Sequence, residues 1–445
     1  MSKPKTLDVA ALIERQPIDR FTVTLLGLSM LVTFIDGYDL MLMAYAAPHV
    51  AAVFQLDERA LGHLLTVGLA GNLLGALLTG WAGDRFGRRP ALLWSTLAFG
   101  LLTLALGIVP SYTAFFALRF MQGVALGGTL PLLCMLNVEY APRRRRATMV
   151  TLVSVGFGLG STLAGPISVH LAALFEWRTA FAFGSLLSLT AFLLCYSLLP
   201  ESLRYLIQAR RSPAEIAKAL RRFAPAAEAA SRGATYLLSD ESAPARPLPL
   251  RGIFVGRLQL ITPLLWLGSL ASSMAVFLLA TWGPSLFEEI GFSRQGAAYM
   301  ASANWLGGIV GGLVLMRWTD RFGPVAVAVM PALAVPVMLA AGLVALTPGV
   351  FVAASLWLAA TLVGGHYGVI SIVGLFYPSA LRARGAGATT AVGRIGGLLG
   401  PQLGGLLMAS QLPPHAAFAV LAVCPAILSA CVALVVRAQR GGLVA

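Results

Sequence analysis

Long apolar runs alternate with short polar segments along almost the whole chain. Each run has roughly the 20 apolar residues that a transmembrane helix needs. We call these runs spans 1 to 12, and six lie in each half. Their bounds are about 21–46, 60–82, 91–110, 113–138, 147–172, 179–199, 259–282, 297–317, 325–346, 351–375, 385–409 and 416–437. The pattern predicts an all-α membrane protein with twelve transmembrane helices in two six-helix bundles. Because span 1 follows a polar tail, we expect a retained helix and not a cleaved signal peptide.

The two halves repeat each other at a constant separation of 236 residues. The sequence Asp-Arg-Phe-Gly at 84–87 recurs at 320–323, Pro142 recurs as Pro378, and Gly75 recurs as Gly311. Such a duplication in an apolar chain is typical of transporters whose substrate path runs between the halves.

The main break in composition lies between the halves. The predicted organisation is therefore an N-terminal tail at 1–20, bundles at 21–200 and 259–437, a central loop at 201–258 and a C-terminal tail at 438–445. Within the loop, a helix-start pattern predicts a short basic surface helix at 213–222. Residues 224–250, rich in Ala, Pro, Ser and Arg, are expected to form a loose linker.

Composition and charge support a membrane protein with both termini in the cytoplasm. The chain is 58% hydrophobic and 11% charged, with a mean hydropathy of +0.81, whereas soluble domains are roughly 25% charged. The net charge is +14, but in the loops predicted to face outward only Arg59, Arg178 and Arg294 are basic. The basic excess therefore reflects topology and anionic lipid, and no nucleic-acid partner is expected. The four cysteines show no metal or redox spacing, so no metal or cofactor is expected.

Two carboxylates lie inside span 1. Asp36 and Asp39 are three residues apart, so they share one helix face, and Ser29 and Thr33 extend that face. We expect this face to line a cavity and the two aspartates to couple transport to protons, since neighbouring carboxylates in low dielectric resist double ionisation. The alternatives are that one aspartate caps a helix break at Gly37 or pairs with an arginine.

Two arginines lie inside spans. Arg119 in span 4 is expected at a depth similar to Asp36, which predicts an Asp36–Arg119 pair, and Gln122 continues its face. Arg394 in span 11 is near the midplane, and its repeat counterpart is Gly158. Because guanidinium holds carboxylate through two hydrogen bonds, both arginines are candidate contacts for an anionic substrate. The alternative for each is a fixed ion pair with an aspartate.

Four further side chains are candidates for the lining of a substrate site. They are Tyr38 in span 1, Asn304 and Trp305 in span 8, and His366 in span 10. His366 could carry a proton, although a lone buried histidine is often only hydrogen-bonded. The others offer a polar and aromatic lining, with ordinary packing as the alternative.

Several segments resemble signatures of the major facilitator superfamily. They are Gly83-Asp84-Arg85-Phe86-Gly87-Arg88-Arg89 after span 2, Arg119 to Gly123 in span 4, Glu139 followed by Arg146, and Pro200-Glu201-Ser202-Leu203-Arg204 after span 6. More narrowly, Asp36-Gly37-Tyr38-Asp39, Glu139-Tyr140-Ala141-Pro142 and Gly393-Arg394 with Gly400-Pro401 resemble the aromatic acid:proton symporter family. Two departures are Leu375, where the repeat would place a mate of Glu139, and the bulky Gly365-His366-Tyr367.

The resemblance implies a function and a set of gating residues. Members of that family import benzoate-like and hydroxybenzoate-like acids with protons by alternating access, without covalent catalysis, so no enzyme activity is expected. The expected gate residues are Gly83, Asp84, Arg85, Gly87, Arg88, Glu139, Arg146, Asp320, Arg321 and Arg382. The expected setting is a monomer in the inner (cytoplasmic) membrane. Transport of another organic anion, export of drug-like compounds, and a receptor that binds without transport stay open as alternatives.

Overall fold

Helices make up nearly all of the described chain. The computed structural model describes residues 6–15, 17, 19–224, 235–239, 250–344, 346–378, 381–410, 412–413 and 415–440. Nine spans are continuous helices: Arg20–Phe54, Glu58–Phe86, Arg88–Ile108, Arg146–Leu174, Thr179–Leu198, Leu258–Glu289, Arg294–Phe322, Pro348–Ile372 and Arg382–Met408, which are spans 1, 2, 3, 5, 6, 7, 8, 10 and 11. Several helices are longer than the apolar runs they contain, because helical backbone hydrogen bonds also form outside the hydrocarbon core of a membrane.

The other three spans are each broken into two helices. Span 4 is Tyr112–Leu126 and Thr129–Tyr140, span 9 is Val325–Ala332 and Ala334–Leu343, and span 12 is Ala416–Leu421 and Val423–Arg440. The break in span 4 falls at two adjacent glycines, Gly127 and Gly128, which lose more backbone freedom in a helix than other residues. A Cβ atom at Gly127 would collide with the carbonyl of Asn72 in span 2. The break therefore also lets spans 2 and 4 approach closely.

Hydropathy and structure differ at one span. Among the described residues, eleven helices are long and apolar enough to cross a membrane, and span 11 is not one of them. Span 11 has 27 helical residues, but it is rich in glycine and carries Arg394 and Gln402. Span 11 is thus long enough to cross a membrane but is unusually polar. Polar and charged residues inside membrane spans usually serve function, so span 11 is a candidate part of the transport site.

The chain forms two compact units. Unit 1 comprises Met1–Asp39, Ala70–Gly160 and Arg178–Pro247, and unit 2 comprises Leu40–Leu69, Ser161–Trp177 and Leu248–Ala445. The units do not coincide with the two sequence halves, since unit 2 contains parts of spans 1, 2 and 5. The two bundles at 21–200 and 259–437 remain a prediction about the duplicated blocks.

Helix packing repeats the 236-residue register of the sequence. In unit 1, a Cβ atom at Gly75 would collide with the carbonyl of Val124; in unit 2, a Cβ atom at Gly311 would collide with the carbonyl of Ala360. Both members of the second pair lie 236 residues after those of the first. Gly160 against Phe34 and Gly396 against Leu270 repeat the same relation for spans 5 on 1 and 11 on 7. The glycines thus set equivalent close helix contacts in both blocks.

The N-terminal tail and the central loop pair with each other within unit 1. Thr6–Asp8 and Thr235–Leu237 form a two-stranded parallel sheet. Asp8 Oδ1 then accepts the backbone N–H of Ala10 at 3.0 Å, capping the helix Val9–Arg15. The side-chain hydrogen bond of Ser239 lowers the pKa of Asp8, which favours the carboxylate that this cap requires.

The predicted helix at 213–222 is confirmed as Pro213–Phe223. Ser212 caps it by accepting the backbone N–H of Glu215, and Pro213 takes the first turn, where no N–H partner is needed. Its buried face, including Leu220 and Phe223, joins the core of unit 1. The predicted linker at 224–250 contains the strand Thr235–Leu237; residues 225–234 and 240–249 lie outside the described residues.

Candidate functional site

A buried hydrogen-bonded ion pair lies at the centre of unit 1. Arg119 Nη1 donates to Asp39 Oδ2 at 2.8 Å, and the same nitrogen contacts Gln122 Oε1. Gln122 Nε2 donates to Asp39 Oδ1 at 2.9 Å and to Thr103 Oγ1 at 2.7 Å. Asp39 is 5% exposed and Arg119 is 6% exposed. Both carboxylate oxygens are therefore occupied, and spans 1, 3 and 4 meet at one polar cluster.

This arrangement corrects the expected pairing. Depth along the helices predicted Asp36 as the partner of Arg119, whereas the structure places Asp39 there. The difference is one helical turn, which hydropathy does not resolve. Asp36 is also buried, at 9% exposure, on the same face of span 1. Asp36 and Asp39 thus lie on one face of span 1, as their spacing predicted.

One guanidinium nitrogen of Arg119 has no hydrogen-bond acceptor in this cluster. Arg119 Nη1 serves both Asp39 and Gln122, while Arg119 Nε is buried without a hydrogen-bond partner among the described residues. A buried donor without an acceptor is costly, and each such group calls for an explanation. A carboxylate reaching this side of the guanidinium would supply the acceptor.

Ser29 and Thr33 do not line a cavity, so that prediction is wrong. Both are fully buried. Ser29 Oγ accepts a hydrogen bond from Asn137 Nδ2 at 2.7 Å, and Thr33 Oγ1 donates to the carbonyl of Val153 at 2.7 Å. Glycine at 156 leaves room for Thr33 in that contact. The polar stripe below the aspartates therefore joins span 1 to spans 4 and 5.

Tyr38 is anchored inside unit 1. It has no exposed surface, its hydroxyl donates to the carbonyl of Ala180 at 3.1 Å, and its ring packs edge-on against Phe183. The hydroxyl is thus already engaged with span 6. Its contribution to the site is to fix the rotation of span 1 next to Asp39.

Two predicted lining residues share one cavity in unit 2. Asn304 and Trp305 line a mainly apolar cavity of about 60 Å³ between spans 7, 8, 10 and 12. Trp305 Nε1 donates to Met41 Sδ at 2.9 Å, which fixes the indole in the wall. Ser355 Oγ lies 3.4 Å from Asn304 Oδ1, so the cavity has one polar edge.

His366 and the residue before Arg394 each lie against a serine of span 7 in unit 2. His366 Nδ1 lies 3.1 Å from Ser272 Oγ, which joins span 10 to span 7. Arg394 is half-buried on span 11, and the preceding Gly393 lies against Ser269, whose hydroxyl a Cβ atom would crowd at 2.6 Å. The arginine is thus brought to span 7 at a point where the helices nearly touch.

Three predicted gate residues of the first half, Asp84, Arg88 and Glu139, form one charged cluster in unit 1. Arg88 is 7% exposed; its Nη2 lies 3.2 Å from Asp84 Oδ1, and its Nε lies 3.5 Å from Glu139 Oε1. Arg88 Nη1 also donates to the carbonyl of Gly83 at 3.0 Å. Gly87 has a φ of 115°, a conformation that favours glycine, and it forms the turn from span 2 to span 3.

Sequence reasoning missed Glu201 as the residue that closes this cluster. Glu201 Oε1 accepts the backbone N–H groups of Arg88 at 2.9 Å and Arg89 at 3.2 Å, so it caps span 3 from after span 6. A Cβ atom at Gly87 would collide with the same carboxylate. Burial raises the pKa of Glu201, and the N–H donors and Arg88 oppose that effect. The Pro-Glu-Ser signature after span 6 was the available signal.

The remaining gate candidates lie in looser surroundings. Tyr205 Oη donates to the carbonyl of Arg85 at 3.1 Å, and Arg146 Nε donates to the carbonyl of Ala141 at 3.2 Å. Asp320, Arg321 and Arg382 are exposed. The repeat counterpart of Arg88 is Pro324, and that of Glu139 is Leu375. The second block therefore lacks counterparts of Arg88 and Glu139, which form an ion pair in the first block.

Tyr45 and Ser302 are a second contact that the sequence did not predict. Their hydroxyls lie 3.1 Å apart within unit 2, and Tyr45 Oη also lies 3.4 Å from the carbonyl of Ala298. His49, one turn beyond Tyr45, lies 3.0 Å from Arg294 Nη1 through its Nε2. No sequence signal marked these residues, since each is a single polar side chain in an apolar or loop-edge segment.

These features define a multi-pass membrane transport protein and not an enzyme. Spanning helices in repeated blocks surround buried charged pairs, which is typical of transporters. The sequence profile of the Major Facilitator Superfamily matches residues 29–401, and a second match covers 265–443. The chain belongs to the Major Facilitator Superfamily.

Relatives and solved structures agree with this family. The 4-hydroxybenzoate transporter PcaK of Pseudomonas aeruginosa is 32% identical over 416 residues, covering 90% of each chain. The gallate transporter of Pseudomonas putida is 31% identical over 408 residues, covering 91% of this chain and 90% of that protein. The partially occluded inward-open structure of the xylose transporter XylE from E. coli superposes with a TM-score of 0.71 at 17% identity, covering 93% of this chain and 97% of that chain, and so supports the fold.

Proposed function

We propose that this protein is a proton-coupled symporter that imports a small aromatic carboxylate by alternating access. The observation that carries the proposal is the buried Asp39–Arg119–Gln122 cluster, in which one guanidinium nitrogen lacks an acceptor. The relatives support the substrate class, because proteins about 31–32% identical over nine-tenths of the chain are named as 4-hydroxybenzoate and gallate transporters. The proposed setting is a monomer in the cytoplasmic membrane with both termini inside.

The proton step uses the aspartates of span 1. Protonation of Asp39 would neutralise its charge and leave the Arg119 guanidinium without a counter-ion in a buried site. An uncompensated buried charge is strongly unfavourable, so the protonated state favours entry of an anion. Proton and carboxylate would then enter together. Asp36, on the same face and also buried, is the second acceptor in this scheme.

Seven residues of the described chain are the proposed substrate contacts. Arg394 and Arg119 are the candidates for the carboxylate, because a planar guanidinium matches its two oxygens. Gln122, Tyr38, Asn304, Trp305 and His366 are the candidates that shape the polar and aromatic surroundings. Of these, the anchored hydroxyl of Tyr38 favours a positioning role.

The inner charged cluster is proposed as a gate. Arg88 joins Asp84, Glu139 and, through backbone, Glu201, so it links the ends of spans 2, 3, 4 and 6. Arg85, Gly83, Gly87 and Arg146 are the further gate candidates of the first block. Asp320, Arg321 and Arg382 are the corresponding candidates in the second. Such a cluster has discrete paired and unpaired arrangements, which is what a two-state gate needs.

Uptake into proteoliposomes tests the coupling. We expect wild-type protein to accumulate 4-hydroxybenzoate when an inward proton gradient is imposed, and Asp36→Asn and Asp39→Asn to abolish accumulation while the protein still inserts. Thr390→Ala on span 11, whose exposed hydroxyl bonds only its own helix, is the matched control. Full accumulation by both aspartate variants would refute the proton roles, and proton-driven efflux would favour an exporter. Saturable binding without flux would favour a receptor.

Affinity tests the carboxylate contact. We expect Arg394→Lys to weaken binding strongly, because lysine keeps the charge and loses the planar fork, and Arg394→Ala to eliminate binding of acids. An uncharged amide analogue should bind wild type poorly. Unchanged acid affinity in Arg394→Lys, or equal affinity for acid and amide, would assign the carboxylate to Arg119 instead.

A further inference from the structure

We propose that the cavity of unit 2 is a subsite that recognises a neutral hydroxyl group on the substrate ring, through Asn304 and Ser355. This inference rests on the proposed function, since it assigns part of the same substrate. It adds the pair of side chains that would contact a ring hydroxyl, one of which, Ser355, had no sequence signal.

The wall of the cavity is apolar except at one edge. Val276, Leu279, Leu358 and Phe418 are among the residues that line it, and the polar side chains among the lining residues are Asn304, Ser355 and Trp305. No charged side chain is among the lining residues. A carboxylate would be strongly disfavoured in such surroundings, whereas an aromatic ring edge is favoured. The cavity therefore takes the end of the substrate opposite its carboxylate.

The polar edge has unused hydrogen-bonding capacity of both kinds. Ser355 Oγ donates to the carbonyl of Val352 at 3.0 Å and lies 3.4 Å from Asn304 Oδ1, so its lone pairs can still accept. Among the described residues, Asn304 takes part in that hydrogen bond through Oδ1, and its Nδ2 donates none. Trp305 Nε1 is already engaged by Met41 Sδ. One donor and one acceptor thus stand side by side on span 8 and span 10.

A hydroxyl group matches that pair. It can accept from Asn304 Nδ2 and donate to Ser355 Oγ, which a ring hydrogen, a halogen or a methoxy group cannot do. The cavity volume of about 60 Å³ exceeds the roughly 10–15 Å³ needed for one water, so it admits a hydroxyl with part of its ring. A site built to hydrogen-bond a hydroxyl discriminates against analogues that lack it, because its own polar groups are left without partners.

The geometry of the two helices keeps this pair in place. Asn304 precedes Trp305, whose indole is held by Met41, and Gly311, two turns further along span 8, lies against the carbonyl of Ala360 in span 10. The close contact between spans 8 and 10 fixes their register, and Ser355 lies on the same side of span 10 as Leu358 and Leu362 of the cavity wall. The polar edge formed by Asn304 and Ser355 is therefore held in a fixed position in the cavity wall.

Competition in proteoliposome counterflow tests the assignment with benzoate, 3-hydroxybenzoate, 4-hydroxybenzoate and 4-methoxybenzoate. We expect wild type to prefer at least one hydroxybenzoate over benzoate by about 10- to 100-fold, in line with one or two buried hydrogen bonds, and to treat 4-methoxybenzoate like benzoate. Asn304→Leu, which keeps the side-chain size, should reduce the preference to within about threefold, and Ser355→Ala should lower it to an intermediate value.

Thr361→Val is the matched control on span 10. Its buried hydroxyl donates to backbone carbonyls of its own helix and does not line the cavity, so the preference should stay as in wild type. Equal wild-type affinity for benzoate and both hydroxybenzoates, or a preference unchanged in both Asn304→Leu and Ser355→Ala, overturns the subsite. Absence of flux for every acid in wild type overturns the proposed function itself, which separates the two failures. If Asn304→Leu does not fold, the Ser355→Ala and wild-type comparisons decide.

Discussion

The buried pair of Asp39 and Arg119 allows a quantitative test. Removing one partner leaves the other as a buried charge, with Gln122 as its remaining partner. Breaking a buried pair in this way costs about 3–5 kcal/mol, whereas an exposed pair is worth about 0–1 kcal/mol. Asp39 and Arg119 are 5% and 6% exposed, so the first figure applies. We therefore expect Asp39→Leu and Arg119→Met each to destabilise unit 1 by about 3–5 kcal/mol.

The chain carries its own reporters for this measurement. Cys195 is buried and Cys134 is half-buried in unit 1, whereas Cys424 and Cys431 are buried in unit 2. In detergent-solubilised protein carrying Cys424→Ser and Cys431→Ser, a thiol-reactive dye therefore reports the unfolding of unit 1. At about 2–4 °C per kcal/mol for a unit of 150–250 residues, each single variant should lower Tm by about 6–20 °C. The double variant should lose much less than the sum, because it removes both charges.

Glu288→Gln provides the control for an exposed ion pair. Glu288 Oε2 lies 3.5 Å from Arg294 Nε, and the side chains are 25% and 56% exposed. A pair of this kind is worth about 0–1 kcal/mol, so Tm should change by no more than a few degrees. The reasoning is refuted if Asp39→Leu shifts Tm no more than Glu288→Gln, or if the double variant equals the sum of the singles.

Three further predictions concern helix contacts and the gate. Gly75→Ala and Gly311→Ala should each lower Tm, because the new Cβ atom meets a backbone carbonyl. Gly80→Ala is the control: its Cβ atom has open space, so the change should be neutral or stabilising by about 1 kcal/mol. Equal Tm values for all three variants would contradict the packing argument. Glu201→Ala should lower the free energy of unfolding by about 1–3 kcal/mol, because two backbone N–H groups lose their acceptor. Burial raises the pKa of Glu201, so the contribution of its titration to stability is full below pH about 4.5 and declines as the pH rises through the pKa of the folded state. Glu201→Gln should therefore flatten that part of the Tm–pH profile. Asp84→Ala should abolish transport and leave substrate binding measurable in equilibrium dialysis, since the ion pair of Asp84 is with Arg88 in the gate cluster. Loss of binding in a folded variant would contradict the gate assignment.

The sequence alone determined the membrane class, the twelve spans and the duplication. These follow from local composition and from identities at a fixed separation, and neither needs three-dimensional contacts. It also placed Asp39, Arg119 and Gln122 on facing helices, because charged residues inside apolar runs are conspicuous. The predicted surface helix at 213–222 followed in the same way from a capping serine and a first-turn proline.

Tertiary structure decided which of these residues meet. Hydropathy locates a residue along a helix only to within one turn. The sequence therefore predicted Asp36 as the partner of Arg119, whereas the structure shows Asp39. It could not separate a polar side chain that lines a cavity from one that joins two helices, as Ser29 and Thr33 do. Glu201 caps span 3 across more than a hundred residues, and Ser355 meets Asn304 from another span. Such contacts depend on helix rotation and packing, which are set by side chains far apart in sequence.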